Sequence, residues 1–103
     1  MTCEVEKLSG VIRIRGEMTI YDATAVSDGL FAAIEGEPKV SIDLSGVSEV
    51  DTTGVQILLM AQRTCASRDV PFATVNSSDA MREALGLLRL GDLTRTVQPE
   101  VAA

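Results

Sequence analysis

The spacing of the apolar residues changes several times along the chain, and these changes limit the folds that are open to it. Between residues 3 and 20, apolar and polar residues alternate, which is the pattern of strands with one buried face. A break at "LSG" predicts two short strands joined by a tight turn at Gly10. The apolar residues of the two strands are Cys3, Val5, Val11, Ile12 and Ile14.

The spacing then becomes helical over "DATAVSDGLFAAIEGEP", which predicts a helix with a single apolar stripe. Asp22 is in the N-cap position, and Gly36 followed by Pro38 ends the helix. The stripe consists of Ala23, Val26, Leu30, Ala33 and Ile34.

The remaining chain continues to alternate strands with helices. A strand is predicted at "KVSIDLSGV", followed by a connection, "SGVSEV", and by the longest helix, "DTTGVQILLMAQRTCASRD". A further strand is predicted at "VPFATVN" and a helix at "SSDAMREALGLLRLGDL", capped by Ser77 or Ser78. The last segment, "TRTVQPEVAA", is expected to add an edge strand, with residues 98–103 frayed. The inward residues of these elements are Val40, Ile42, Leu44, Val70, Phe72, Val75, Met81, Ala84, Leu85 and Leu88.

This order of elements, β-β-α-β-α-β-α with an optional last strand, predicts an α/β fold. We expect a mixed sheet of four or five strands, with about three helices packed mainly on one face. The length of 103 residues suits one domain, so residues 1–103 are assigned to a single unit.

Composition and charge exclude several classes of function. The three aromatic residues and the net charge of -6 argue against a nucleic-acid partner, which favours basic faces and aromatic platforms. The apolar stretches are too short for membrane insertion, and the start lacks the order of a signal peptide. We therefore expect a cytoplasmic chain in which Cys3 and Cys65 are reduced thiols, with Cys65 in the core.

The chain contains no histidine. This absence excludes the arrangements that need histidine: a phosphohistidine relay, a Ser-His-Asp triad, a Cys-His dyad and most zinc sites. An enzyme would have to use carboxylates or one of the two lysines, Lys7 and Lys39. We expect no enzymatic activity, no metal site and no cofactor.

The long helix has two distinct faces at 100° per residue. Small and apolar residues form the inward stripe, with Val55, Ile57 and Gln62 at its borders. The opposite stripe includes apolar Met60, which together with Leu59 indicates a surface for binding a partner. The inward stripe contains Gly54, Leu58, Ala61 and Cys65, and the outward one Thr52, Gln56, Met60, Arg63 and Ser67.

The start of this helix combines an acid, two hydroxyls and a glycine. Asp51 is expected to cap the helix by accepting hydrogen bonds from its first turn. A phosphoryl group on Thr52 would lie at the positive end of the helix dipole and would add about -1.5 to -2 charge units to the outward face. Thr53, one position further, is the less favoured acceptor, and Gly54 is expected to pack closely.

Residues 39–90 resemble the STAS domain, the fold of bacterial anti-sigma-factor antagonists. The family pattern is a strand ending in Asp-Leu-Ser, a short connection, and an Asp-Ser-(Ser/Thr)-Gly motif that opens a helix. "GEMTIYDATAVSDGL" is similar to the start of the family's first helix, so the resemblance covers nearly the whole chain. The matching residues are Asp43, Leu44, Ser45, Asp51, Thr52, Thr53, Gly54 and Val55.

The resemblance implies a signalling module whose cognate serine/threonine kinase, of the anti-sigma type, phosphorylates Thr52. The unphosphorylated form would bind the kinase and the phosphorylated form would release it. Two residues depart from the usual pattern: Thr52 replaces a serine, and Thr19 stands where many antagonists have an acid. The predicted partner-binding residues are Asp51, Thr52, Thr53, Gly54, Gln56, Leu59, Met60 and Arg63.

Two other settings have the same motif. "MTIY" and "DTTGVQILLMAQR" resemble STAS proteins found with chemotaxis genes, and also the small STAS subunit of a lipid-transport ABC complex. In the transport setting, the same face would hold an ATPase without phosphorylation. A receiver domain is disfavoured because no lysine follows Lys39. Asp43 is therefore interpreted as a residue that binds loop N–H groups at the end of its strand.

Overall fold

The computed structural model describes residues 3–8 and 10–88. A short 3-10 turn at Ile20–Asp22 precedes the first helix. The strands are β1 (Cys3–Leu8), β2 (Val11–Met18), β3 (Val40–Val50) and β4 (Phe72–Val75), and the helices are α1 (Ala23–Ile34), α2 (Thr52–Ser67) and α3 (Asp79–Leu87).

The four strands form one mixed sheet in the order β1-β2-β3-β4. β1 and β2 are antiparallel and are joined at Gly10, whose φ of +83° suits glycine. β2 and β3 are parallel, as are β3 and β4, because a helix connects each of these pairs. The predicted α/β class, the mixed sheet and the three helices are confirmed.

One face of the sheet supplies most of the core. Alternate residues of β2, β3 and β4 are buried on this face, where α1 and α2 pack side by side. The opposite face of β1 and β2 is charged, and Arg15 contacts Glu4 there at 2.9 Å. The buried sheet residues include Ile12, Ile14, Val40, Ile42, Leu44, Phe72 and Thr74.

α3 has a different position, beside the second half of β3. β4 pairs only with residues Val40–Asp43 of β3. Beyond this point the backbone N–H of Ser78 donates to the carbonyl oxygen of Leu44 at 3.2 Å, and α3 runs along the rest of the strand. Ser78, rather than Ser77, caps α3, since its hydroxyl accepts from the N–H of Met81 at 3.1 Å.

β3 is longer than the sequence predicts, because the segment interpreted as a connection, residues 45–50, continues the strand. Register shifts between Arg13 and Arg15 and between Gly16 and Glu17 keep β2 paired with β3 as far as Val50. The hydrogen bonds between β2 and β3 are formed by backbone groups, so they do not depend on which side chains β3 carries. The polar residues of this half of β3 therefore do not end the strand.

Three smaller predictions need correction. In β4 the buried residues are Phe72 and Thr74, and Val75 is only partly buried. Leu88 is not inward, because it follows the end of α3 and is 40% exposed. Asp22 does not cap α1 with its side chain, because the 3-10 turn before the helix gives it φ -111° and ψ 9° instead of the extended backbone of a capping residue. The predicted last strand and frayed end lie outside the described residues.

The two faces of α2 match the prediction. Gly54, Leu58, Ala61 and Cys65 are buried, and Thr52, Gln56, Met60, Arg63 and Ser67 are exposed. Cys3 and Cys65 are both free and buried. Burial raises the pKa of Cys3 to about 11 and also raises that of Cys65, so both remain thiols at neutral pH.

Because α2 has one buried and one exposed face, removing side chains of similar size from the two faces should change the free energy of unfolding by different amounts. Leu58 is fully buried and Met60 is 54% exposed. Leu58→Ala should lower the free energy of unfolding by about 2–5 kcal/mol because it leaves a cavity. Met60→Ala should change it by less than about 0.5 kcal/mol. Urea unfolding measures both values, and similar losses in the two variants would contradict this arrangement.

Candidate functional site

Asp51 lies at the centre of the candidate site and contacts two separate segments of the chain. One carboxylate oxygen accepts from the N–H of Gly54 at 3.1 Å and caps α2. The other accepts from the N–H of Ile20 at 3.0 Å. The N–H of Asp51 also donates to the carbonyl oxygen of Met18 at 3.2 Å. The predicted cap is therefore present, and the same side chain also fixes the turn between β2 and α1.

The two threonines differ in solvent access. Thr52 is the first residue of α2 and is exposed, whereas Thr53 is half-buried. Successive helix residues are 100° apart, so only one of two adjacent hydroxyls can lie fully on the outer face. This supports the preference for Thr52 as the accessible hydroxyl.

Gly54 allows α2 to begin close to the end of β2. A Cβ atom at this position would lie 2.3 Å from the carbonyl oxygen of Met18 and 2.8 Å from the Val50 side chain. The first of these neighbours is backbone, which cannot turn aside. Any other residue would therefore move the start of α2, together with Asp51 and Thr52, away from the sheet.

Two Gly→Ala substitutions separate this steric constraint from the general effect of glycine in helices. Gly54→Ala should lower stability by more than about 1 kcal/mol, because the new methyl group overlaps backbone. Gly86→Ala in α3 is the matched control, since a Cβ atom there meets nothing within 4 Å. The control should raise stability by roughly 0.5–1 kcal/mol. A stabilising Gly54→Ala in thermal unfolding would contradict the close approach.

The outer face of α2 forms the second part of the site. Gln56, Met60 and Arg63 are exposed, and Leu59 is partly buried against the core. These four residues line one shallow groove of about 260 Å³. Four of the predicted partner-binding residues thus share one groove, whereas Gly54, which was also predicted to bind a partner, is buried.

Asp43 lies within β3, beside Val75 at the end of β4, and not at the end of its own strand as the sequence predicts. One carboxylate oxygen accepts from the N–H and the hydroxyl of Ser45 at 2.8 and 2.7 Å. The other accepts from the Asn76 amide at 3.3 Å and lies 3.9 Å from Arg13. Burial alone would raise the pKa of Asp43. The bonds from Ser45 and Asn76 and the charge of Arg13 outweigh burial, so the pKa lies below its ordinary value.

The lowered pKa of Asp43 predicts a pH-dependent contribution to stability. This contribution is fully present above the unfolded value of about 3.9 and is lost as the pH falls through the lower folded value. The loss of stability in Asp43→Asn should therefore be largest near neutral pH and should shrink below about pH 4. Asp28→Asn, on the exposed side of α1, is the control. Urea unfolding from pH 3 to 7 measures both, and a loss that is constant with pH would contradict the prediction.

Further residues belong to this region but were not predicted from the sequence. Ile20 and Tyr21 in the 3-10 turn are 63% and 92% exposed. Leu87 and Leu88 line a groove of about 160 Å³ together with Asp51 and Thr52. The helical spacing of α3 placed Leu88 inward, and no periodic pattern includes Ile20 or Tyr21. The sequence did contain one signal for Ile20 and Tyr21, because they are two adjacent large apolar residues directly before a helix.

Within the described part of the chain, no group of three or more acidic, cysteine or histidine residues could hold a metal ion. None of the helices in residues 10–88 has the length and apolar character needed to cross a bilayer.

Comparisons with known proteins agree with this fold. An anti-sigma factor antagonist from Mycobacterium paratuberculosis is 26% identical, with a TM-score of 0.73 over 88% of this chain and 80% of its own. SpoIIAA in its unphosphorylated form is 21% identical, with a TM-score of 0.69 over 88% of this chain and 84% of its own. A STAS domain protein from Planctomyces limnophilus is 20% identical, with a TM-score of 0.69 over 88% and 85%.

No curated protein sequence matches the chain. A family profile described as "Mlab, STAS domain" matches residues 2–97. Together with the anti-sigma factor antagonist structures, this match supports a regulatory protein-interaction module. The chain belongs to the STAS domain family.

Proposed function

We propose that this chain is a phosphorylation-controlled docking module of the anti-sigma-factor antagonist type. A serine/threonine kinase of the anti-sigma type binds the surface around α2 and phosphorylates Thr52. The observation that carries the proposal is the exposed hydroxyl of Thr52 at the first position of α2, directly after the capping Asp51. The module acts in the cytoplasm and has no catalytic activity of its own.

The position of Thr52 suits a switch that leaves the fold unchanged. Its side chain is exposed, so a phosphoryl group displaces no core residue. The positive end of the α2 dipole stabilises an added anion, while the carboxylate of Asp51 keeps its bonds to Gly54 and Ile20. About two added negative charges among the exposed apolar side chains of this surface oppose docking, because a bound partner would have to bury them.

The similar structures support this assignment in one respect. SpoIIAA, which shares the fold, was described in an unphosphorylated form, so phosphorylation is relevant to that relative. The site here differs in bearing a threonine, and Thr19 stands where the family pattern has an acid. Thr19 is half-buried and accepts the N–H of Asp22 through its carbonyl oxygen at 3.0 Å. This chain therefore has no acidic side chain at that position.

The test uses tagged chain purified from its own cells, as wild type, Thr52→Val and Thr53→Val. Intact-mass measurement should show one phosphoryl group on wild type and Thr53→Val, and none on Thr52→Val. Thr52→Glu should lose the kinase that copurifies with wild type. The absence of phosphate from wild type, or its retention in Thr52→Val, would contradict the proposal.

The same experiment addresses the second candidate function, a constitutive accessory subunit of a transport ATPase. In that case the copurifying partner would be an ATPase, and the wild-type mass would show no modification. Binding would then depend on the apolar residues of the outer face, such as Met60, and would not be controlled at Thr52.

A further inference from the structure

The groove on the outer face of α2 has the arrangement that accepts a side chain from a facing helix. Its lining residues, among those that the structure describes, are Gln56, Leu59, Met60 and Arg63. They are spaced i, i+3, i+4 and i+7, so each adjoins two others of the set on the helix surface. Four residues with this spacing form the hole that receives one apolar side chain when two helices pack together. The groove therefore fits an apolar side chain that is carried by a helix.

The charge of α2 contrasts with that of the whole chain. Arg63 is the one charged residue of Thr52–Ser67, and its side chain is exposed. The chain as a whole has 15 acidic residues and a net charge of -6. Asp51, which precedes the helix, has one carboxylate oxygen bonded to the N–H of Gly54 and the other to the N–H of Ile20. On this face a negatively charged partner thus meets a cation and no acid of the same helix.

Arg63 also differs from the other arginines within residues 10–88. Each of those contacts a carboxylate, whereas Arg63 has no ion-pair partner in the described part of the chain. The guanidinium group is planar and can bind a carboxylate through two parallel hydrogen bonds. The groove therefore has an available cation at one end, next to its apolar residues. The paired arginines are Arg13, Arg15, Arg68 and Arg82.

From this spacing and this charge, we infer that the partner docks through an amphipathic helix in which an acidic residue lies one turn from an apolar one. The apolar side chain occupies the groove beside Leu59 and Met60, and the carboxylate pairs with Arg63. A helix laid against a groove in this way is a common mode of recognition. This inference rests on the docking role proposed above and specifies the chemistry of the partner.

The same charges disfavour pairing between two copies of α2. A second α2 would bring another Arg63 into the contact and would supply no acid, because Thr52–Ser67 contains none. Like charges placed against each other in an interface oppose binding. A different chain with an acidic helix is therefore the better occupant.

An acidic docking helix also gives phosphorylation of Thr52 a direct effect on binding. Thr52 lies on the same exposed stripe, one turn before Gln56. Arg63 is about 16 Å further along the helix axis, which is beyond the reach of an ion pair with a phosphoryl group on Thr52. The added negative charge would therefore remain unpaired and would repel the acidic helix.

The test uses a phage-displayed library of helical peptides, randomised on one face of an alanine-rich scaffold and selected on unphosphorylated recombinant chain. Enriched peptides should have aspartate or glutamate three or four positions from leucine, methionine or phenylalanine. Selection on Arg63→Glu should enrich lysine or arginine at the acidic position instead, because the charge in the groove is reversed.

The affinity of one enriched peptide is then measured on two matched pairs of variants. Arg63→Gln should weaken binding by about two- to fivefold, the effect of losing an exposed ion pair. Arg68→Gln removes the same charge outside the groove and should bind as wild type does. Met60→Ser should weaken binding by about fivefold or more, because Met60 contacts the inserted side chain. Leu8→Ser should have no effect, although Leu8 and Met60 are similarly exposed, at 50% and 54%.

Three results of the selection would overturn the inference: no enriched peptide, enrichment of basic residues on wild type, or equal affinity for wild type and Arg63→Gln. Self-association of the chain that is lost in both Arg63→Gln and Leu87→Ser would also overturn it. In that case α3 of a second copy, which bears Glu83 and the exposed Leu87, would be the occupant.

The selection uses no kinase, so its outcome is separate from that of the mass measurement. Binding of acidic helical peptides by a chain that carries no phosphate on Thr52 in cells would sustain the inference and remove the switch. Phosphate on Thr52 without such peptides would do the reverse.

Discussion

The carboxylate of Asp51 is the interaction on which the geometry of the site depends. It accepts one hydrogen bond from the first turn of α2 and another from Ile20, which precedes α1. Two helices that begin at the same edge of the sheet are thereby held in a fixed relation. Gly54 makes this possible, because only a residue without a Cβ atom lets α2 start so close to Met18. The exposed Thr52 is therefore part of a capped helix and not of a loop.

Much of this frame could be predicted from residue spacing. The two faces of α2 follow from the helical period, since Leu58 and Met60 are 200° apart and meet opposite environments. The cap at Asp51 follows from the preference of helix N-termini for carboxylates. The βαβ order of the chain is likewise sufficient to predict the parallel part of the sheet, because parallel neighbours need a crossover.

The parts that could not be predicted depend on contacts between distant segments. Nothing in the local sequence says that Asp51 also bonds to Ile20, thirty-one positions earlier. The extension of β3 to Val50 depends on register shifts in β2, which periodicity does not reveal. The spacing of α3 places Leu88 inward, but the helix ends at Leu87 and the pattern no longer applies. Two of the corrected residues, Asp22 and Leu88, are at helix ends, and Leu88 lines the groove beside Thr52.

The position of α3 has a consequence for solubility. β3 has eleven residues but β4 pairs with only four, so Leu44–Val50 would be an unpaired strand edge without α3. Unprotected edges of this kind act as templates for strand addition and aggregation. α3 covers this edge, and its last turn also bears Leu87 beside the groove at Thr52. The same nine-residue helix thus both protects the sheet edge and lines the groove at Thr52. Any partner that displaced α3 would expose the edge, so partners that leave α3 in place are favoured.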